Sequence, residues 1–202
     1  MEIFIWIALL IISIVIHEYS HGLAAYALGD DTAKRAGRLS LNPLRHLDPF
    51  WTVIFPIVLF ISTGGRFVFA MAKPVPVDFS RLHKPKKDMG LVGVAGPFAN
   101  LILAGIFSTL WKFYSEDYLL MGVYLNLGLA IFNLLPLPPL DGSRVAASLL
   151  PGPWAVRYLR LEPVGYLLVL VLYFTGILMR VMIPAVDTLC RFLDVPPLST
   201  LG

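Results

Sequence analysis

The sequence predicts an all-α polytopic membrane protein. Of the 202 residues, 57% are hydrophobic and 14% are charged, whereas soluble domains have about 45–50% apolar and about 25% charged residues. Four apolar stretches are close to the ~20 residues that cross a bilayer core as a helix. The basic residues lie mainly between these stretches. The length is that of one ordinary domain, so we expect a single domain over residues 1–202.

The apolar stretches predict four transmembrane helices, at Ile3–Leu28, Met89–Phe113, Tyr118–Leu135 and Val164–Ile183. We expect the first stretch to be retained rather than removed as a signal peptide. Its start, Met1-Glu2, carries no positively charged residue, and ionisable residues interrupt the apolar run.

A fifth apolar run, Phe50–Ile61, is too short to span comfortably and contains Pro56. We expect it to enter and leave the membrane on one side. The chain would turn at Gly64-Gly65 and return as an extended segment, Phe67–Val77. Such non-helical backbone is tolerated at membrane depth only where protein or water covers it. The alternative is a short tilted span.

The charge distribution predicts the orientation of the chain. The segments 29–48, 62–88 and 136–163 hold 13 of the 16 Lys and Arg residues, and short loops rich in these residues stay cytoplasmic. The basic bias therefore reflects membrane topology rather than nucleic-acid binding. We expect the N-terminus outside the cell and these loops, with their small extended segments, on the cytoplasmic side.

The first predicted helix contains an HExxH pattern, His17-Glu18-Tyr19-Ser20-His21. Residues four apart share one helix face, so both histidines could bind one zinc ion, with Glu18 as general base on its water. The alternative is a chance match on an exposed helix. Ionisable groups within an apolar helix are costly and by default mark function, which favours the metal interpretation.

A catalytic zinc ion usually takes three protein ligands, and Asp141 is a candidate for the third. It follows prolines that end the third predicted helix. The alternative is a turn or N-cap aspartate of a predicted helix at Gly142–Leu150. The residues alone leave both interpretations open. The single cysteine, Cys190, excludes a disulfide framework and a cysteine-based zinc site.

Three motifs make the pattern more specific: HEYSHG at 17–22, AGPFAN at 95–100 and NLLPLPPLDG at 133–142. Together they resemble the site-2 protease family of intramembrane zinc metalloproteases. NPLRHLDP at 42–49 and AKPVPV at 72–77 are similar to a compact prokaryotic-type branch without PDZ-like or CBS-like insertions. The resemblance implies that His17, His21 and Asp141 bind one Zn²⁺ and that Glu18 is catalytic.

The resemblance also implies an activity, which is hydrolysis of peptide bonds within or next to transmembrane segments. The substrate would be a transmembrane protein or membrane-inserted peptide in a prokaryotic cell membrane, cut toward the cytoplasmic side. We expect the extended segment Phe67–Val77 to offer a strand edge to the unwound substrate. The oligomeric state stays open.

Two asparagines are candidates for support of the oxyanion or the substrate. The resemblance implies that Asn100 lies near the zinc ion, where an amide donor could stabilise developing charge. Its alternative is an interhelical hydrogen bond, and Asn133 has the same ambiguity.

A different class of function is a metal-binding membrane protein that does not cleave, such as a regulator or a metal transporter. A transporter is expected to place polar groups along a path through several helices. In this sequence they lie near one end of two helices, which favours an enzyme.

Overall fold

The structure is a computed structural model that describes residues 2–46, 54, 58, 61 and 73–201. Its α-helices are α1 Glu2–Ala27, α2 Thr32–Arg35, α3 Pro85–Tyr114, α4 Asp117–Leu134, α5 Asp141–Leu149, α6 Gly152–Leu159, α7 Glu162–Phe174 and α8 Ile177–Phe192. The described ranges contain no β-strand, so the all-α prediction is confirmed. The proposed turn at Gly64-Gly65 and most of the flanking segments Phe50–Ile61 and Phe67–Val77 lie outside the described residues.

Within the part of the chain that the structure describes, three single helices are long and apolar enough to cross a membrane. These are α1 from Phe4 onward, α3 and α4, and they correspond to the first three predicted spans. Apolar side chains on their outer faces, such as Phe4 and Ile102, are exposed, as expected where lipid surrounds a protein. The chain is therefore a multi-pass membrane protein.

The fourth predicted span differs from the structure. A single helix over Val164–Ile183 is wrong, because α7 ends at Phe174 and α8 begins at Ile177, with an angle of 79° between them. Gly176 lies at the break with a φ of 73°, a left-handed conformation that glycine adopts at no steric cost. The pair is one broken span or a re-entrant turn.

Helix α3 is the centre of the bundle and packs against α1, α4 and α5. Small residues let α5 approach it closely. A Cβ added at Gly90 would lie 2.4 Å from Ser148 Oγ, and one added at Gly93 would lie 3.0 Å from the Asp141 carbonyl oxygen. This contact sets the start of α5, where Asp141 lies, against the N-terminal third of α3.

Asp30 holds the segment that follows the undescribed residues against the end of α1. Its Oδ2 accepts the Asp78 N–H at 2.7 Å, and its Oδ1 accepts the N–H of Thr32 at 3.0 Å. Burial would raise the pKa of Asp30, but hydrogen bonds from Thr32 and Asp78, with the charge of Arg81, hold the pKa below its ordinary value.

This environment predicts a loss of stability in acid. Because the folded pKa of Asp30 is lowered, its stabilisation is complete above the unfolded value of 3.8 and is lost as the pH falls through the folded pKa. Thermal unfolding in detergent between about pH 2 and about pH 6 would measure this. We expect Asp30→Asn to flatten the acid part of the profile. An unchanged acid slope in that variant would contradict the assignment.

Candidate metal centre

Helix α1 brings His17 and His21 together on one buried face. The two side chains lie four residues apart, and each residue is under a tenth exposed. Their Nε2 atoms are 3.1 Å apart, and the rings meet edge to face. The helical spacing that the HExxH pattern predicts is therefore present.

Asp141, which lies 120 residues after His21 in the sequence, reaches the same point. Its Oδ2 lies 3.1 Å from His17 Nε2 and 3.1 Å from His21 Nε2. Asp141 is the first residue of α5, and the N-cap position belongs to Leu140. The carboxylate therefore faces the histidines, and the N-cap alternative does not describe this residue.

The donor atoms suit a cation. His21 Nδ1 lies 2.7 Å from the Val92 carbonyl oxygen, which only accepts, so Nδ1 carries a hydrogen. In the neutral ring, Nε2 then presents a lone pair. His17 Nδ1 likewise faces Asn100 Oδ1 at 2.5 Å. With the Asp141 carboxylate, three acceptors meet at mutual distances of 3.1 Å. Ligands on a tetrahedral zinc ion with bonds of about 2.0 Å are roughly 3.3 Å apart.

Gly96 of α3 leaves space beside these atoms. A Cβ at this position would lie 2.4 Å from His21 Nε2 and 2.7 Å from His17 Nε2, closer than real Cβ atoms come to a neighbour. Residue 96 must therefore lack a side chain for the cluster to form. The residues present fit a zinc ion in donor type, spacing and room.

Glu18 lies next to the cluster but outside it. The side chain is half-buried, and its Oε2 accepts the Val75 N–H at 2.8 Å. Val75 belongs to residues 73–77, the described end of the predicted extended segment. The Arg38 guanidinium holds this stretch by donating to the carbonyl oxygen of Lys73 at 2.7 Å.

The comparison with known families agrees with this geometry. The model of peptidase family M50 matches residues 5–117 and 109–174, most of the chain. The chain belongs to peptidase family M50. The predicted resemblance to the site-2 proteases is thereby confirmed.

Relatives in this family carry provisional names as zinc metalloproteases. YwhC of Bacillus subtilis is 41% identical over 185 residues, covering 82% of this chain and 78% of the relative. Rip2 of Mycolicibacterium smegmatis is 32% identical over 180 residues, covering 84% and 66%. MJ0611 of Methanocaldococcus jannaschii is 32% identical over 121 residues, covering 57% and 60%. The chain thus spans about two thirds or less of the latter two. No solved structure gave a significant match.

Asn100 has a different environment from the one that the oxyanion hypothesis requires. The residue is fully buried, and its Nδ2 donates to Asn126 Oδ1 at 2.8 Å and to the Ser13 carbonyl oxygen at 3.4 Å. Both amide hydrogens are thus used between helices, while Oδ1 faces His17. This geometry favours the interhelical alternative over oxyanion support in this M50 protein.

Asn133 is not brought to the metal centre by any contact among the described residues. Its Nδ2 donates to the Leu129 carbonyl oxygen of its own helix at 2.9 Å. Sequence reasoning missed Ser13 and Asn126, which are both fully buried. A signal was available for Ser13, because it lies one helical turn before His17 on the face that also holds His21.

The proline-rich loop before Asp141 is held in place by α7. A Cβ at Gly165 would lie 1.6 Å from the Pro138 carbonyl oxygen, so these two backbones touch. Tyr158 of the preceding helix, α6, adds a hydrogen bond of 2.6 Å from its hydroxyl to the Pro136 carbonyl oxygen. The position of Asp141 therefore depends on a helix that carries none of the three clustered side chains.

We expect Gly165→Ala to push this loop away and to weaken zinc binding by about tenfold, as shifts of groups that support ligands do. Competition with a chromogenic chelator would measure the affinity. The matched control is Gly152→Ala, since a Cβ at Gly152 meets no atom within 4 Å. Equal zinc affinities in the two variants would mean that the contact of α7 with the loop does not determine the position of Asp141.

Proposed function

We propose that this chain is an intramembrane zinc metalloendopeptidase that hydrolyses peptide bonds within or next to transmembrane segments of other proteins. One observation carries the proposal: two imidazole nitrogens and a carboxylate oxygen meet at 3.1 Å within a bundle of apolar helices, with Glu18 beside them. Membership of peptidase family M50 and the names of the relatives support it.

The roles of the residues follow from their chemistry. His17, His21 and Asp141 would hold the zinc ion. When bound, the ion would supply Lewis acidity that polarises the scissile carbonyl and makes the attacking water more acidic. Glu18 removes a proton from the attacking water and delivers it to the leaving amine as the peptide bond breaks. The products are a new carboxyl end and a new amino end.

The substrate has to be extended where it is cut, because a helical segment hides its amide bonds in its own hydrogen bonds. The segment Phe67–Val77 would present a strand edge to the unwound substrate. Support comes from its described end, where Val75 lies beside Glu18 and contributes a hydrogen bond to the carboxylate. The substrate would thus lie between this segment and the metal centre.

The orientation of the enzyme follows from the positions of its basic loops. The N-terminus would lie outside the cell, and the metal centre would face the cytoplasmic side of a prokaryotic membrane. The relatives come from bacteria and an archaeon, which supports a prokaryotic membrane. Residues 1–202 would act as one domain.

Cleavage of membrane-inserted peptides by the purified chain tests the proposal. The chain is reconstituted with candidate transmembrane peptides, stripped with a chelator and reloaded with zinc, and the products are read by mass spectrometry. We expect internal cuts that disappear with the chelator and return with zinc. Zinc binding without cleavage of any candidate would favour the non-proteolytic alternative, a regulator or transporter.

A further inference from the structure

A chain of buried polar side chains joins three membrane helices at the metal centre. It runs from Asn126 of α4 to Asn100 of α3 at 2.8 Å, and from Asn100 to His17 of α1 at 2.5 Å. Ser13 of α1 joins it, since its Oγ accepts from Asn126 Nδ2 at 2.9 Å. Ser13, Asn100 and Asn126 are fully buried. Polar groups that are buried this deeply are costly unless each is paired.

The direction of these hydrogen bonds is set by a backbone group. Asn126 Nδ2 donates to the Gly122 carbonyl oxygen at 2.9 Å, and a carbonyl oxygen only accepts. The amide of Asn126 must therefore present its NH₂ to Gly122 and its Oδ1 to Asn100. Turning that amide over would place two oxygens against each other.

The same direction passes through the second amide. Because Asn126 presents an oxygen, Asn100 must present its NH₂ there, and the Ser13 carbonyl oxygen requires the same. Asn100 Oδ1 is then left for His17, whose Nδ1 must carry the hydrogen. His21 needs no such chain of side chains, because the Val92 carbonyl oxygen faces its Nδ1 directly.

We infer that Asn126, supported by Ser13, is a positioning residue that fixes the tautomer of His17 through the amide of Asn100. It keeps the hydrogen on Nδ1 and the lone pair of Nε2 directed at Asp141 and His21. The inference rests on the proposed zinc site, where only that tautomer can bind the ion. Partners that fix the tautomer of a ligating histidine typically change metal affinity by 10–100-fold when mutated.

Three variants at one position test the inference. Asn126→Leu removes the 2.8 Å hydrogen bond to Asn100 and leaves only the longer 3.4 Å bond from Asn100 to the Ser13 carbonyl oxygen. The Asn100 amide can then turn and present its NH₂ to His17. Asn126→Asp keeps an oxygen facing Asn100. Buried among apolar helices, the acid is neutral and its O–H can donate to the Gly122 carbonyl oxygen, so we expect the His17 tautomer of the parent. Asn126→Ala leaves room for a water molecule, which can either donate to or accept from Asn100. It replaces Asn126→Leu if that variant fails to fold, and we expect the same result from it.

The control for the loss of one buried hydrogen bond is Ser108→Ala. Ser108 is a buried residue of α3 whose hydroxyl donates to the Leu193 carbonyl oxygen at 3.1 Å. It is not part of the hydrogen-bonded chain from Asn126 to His17. Thermal unfolding of all variants shows how much each change costs the fold.

Two readouts separate positioning from general stability. The first is the zinc affinity by chelator competition. The second is the ¹⁵N shifts of the histidines in metal-free protein, at a pH where the rings are neutral. It is measured on an Asp141→Ala background, because the Asp141 carboxylate would otherwise accept a hydrogen from His17 Nε2. The chain has four histidines, and His17→Gln assigns the signal. We expect one His17 tautomer in the parent, Asn126→Asp and Ser108→Ala. In Asn126→Leu we expect both tautomers and zinc affinity about tenfold weaker.

A single Nδ1–H tautomer with parental zinc affinity in Asn126→Leu would overturn the inference. So would an equal loss of affinity in Ser108→Ala. If the parent itself bound no zinc, the proposed function would fail. The tautomer comparison, made without metal, would still decide whether Asn126 controls His17.

Discussion

Replacing Gly96 with alanine should weaken zinc binding about 100-fold and lower proteolysis at limiting zinc. The new Cβ would lie 2.4 Å from His21 Nε2 and 2.7 Å from His17 Nε2, on the side where the ligand atoms converge. Both histidines are tied through Nδ1, to Val92 and Asn100, so neither can move freely. Overpacking of this kind typically costs 1–3 kcal/mol, and we expect affinity about 100-fold weaker. Metal analysis after dialysis at known free zinc would measure it.

The matched control for this change is Gly105→Ala on the same helix. A Cβ at Gly105 meets no atom within 4 Å, and alanine is a better helix former than glycine by about 1 kcal/mol. We expect Gly105→Ala to bind zinc like the parent and to be at least as stable. Parental zinc affinity in Gly96→Ala would mean that no ion lies between the two histidines and α3.

Glu18→Gln should slow peptide hydrolysis without lowering the amount of zinc that is bound. Glutamine keeps the size of the side chain and can still accept the Val75 N–H, but it cannot take a proton from water. General base catalysis typically contributes 10²–10⁴-fold, so we expect kcat to fall by about that factor. Zinc content should stay parental, because Glu18 lies outside the group of three ligand atoms.

The control is Glu116→Gln, the same chemical change at an exposed residue before α4. It should leave both cleavage and zinc content at parental levels. Initial rates on one membrane-inserted peptide, with zinc measured on the same samples, compare the variants. Substantial cleavage by Glu18→Gln would assign the base to another group.

Much of this molecule follows from simple periodicity. An apolar run of membrane length predicts a helix, and residues four apart on it share a face, so α1 and its two histidines could be predicted together. Asp141 was harder, because an aspartate before a helix is equally a cap from sequence alone. Its carboxylate is directed to His17 and His21 by the packing of α5 against α3 and of the preceding loop against α7.

The break between α7 and α8 could not be predicted from hydropathy. The run from Val164 to Ile183 stays apolar through Gly176, and a glycine in such a run fits a straight helix as well as a left-handed turn. The choice depends on what α7 and α8 pack against. Gly165 illustrates this, since its contact with Pro138 joins residues that are distant in sequence.

The role of Asn100 could not be predicted for a different reason. An asparagine carries a donor and an acceptor on one flat group, and the sequence does not say which one faces His17. That direction depends on Asn126 and on the Gly122 carbonyl oxygen of another helix. A resemblance to a family supplies proximity to the metal but not the direction of the hydrogen bond.

Zinc per chain, measured by elemental analysis on the purified parent and on Asp141→Ala, shows whether His17, His21 and Asp141 bind one ion. We expect about one zinc ion per chain in the parent and much less in the variant, since a catalytic zinc ion usually needs three protein ligands. A full complement of zinc in Asp141→Ala would contradict it, because the third ligand would then lie elsewhere.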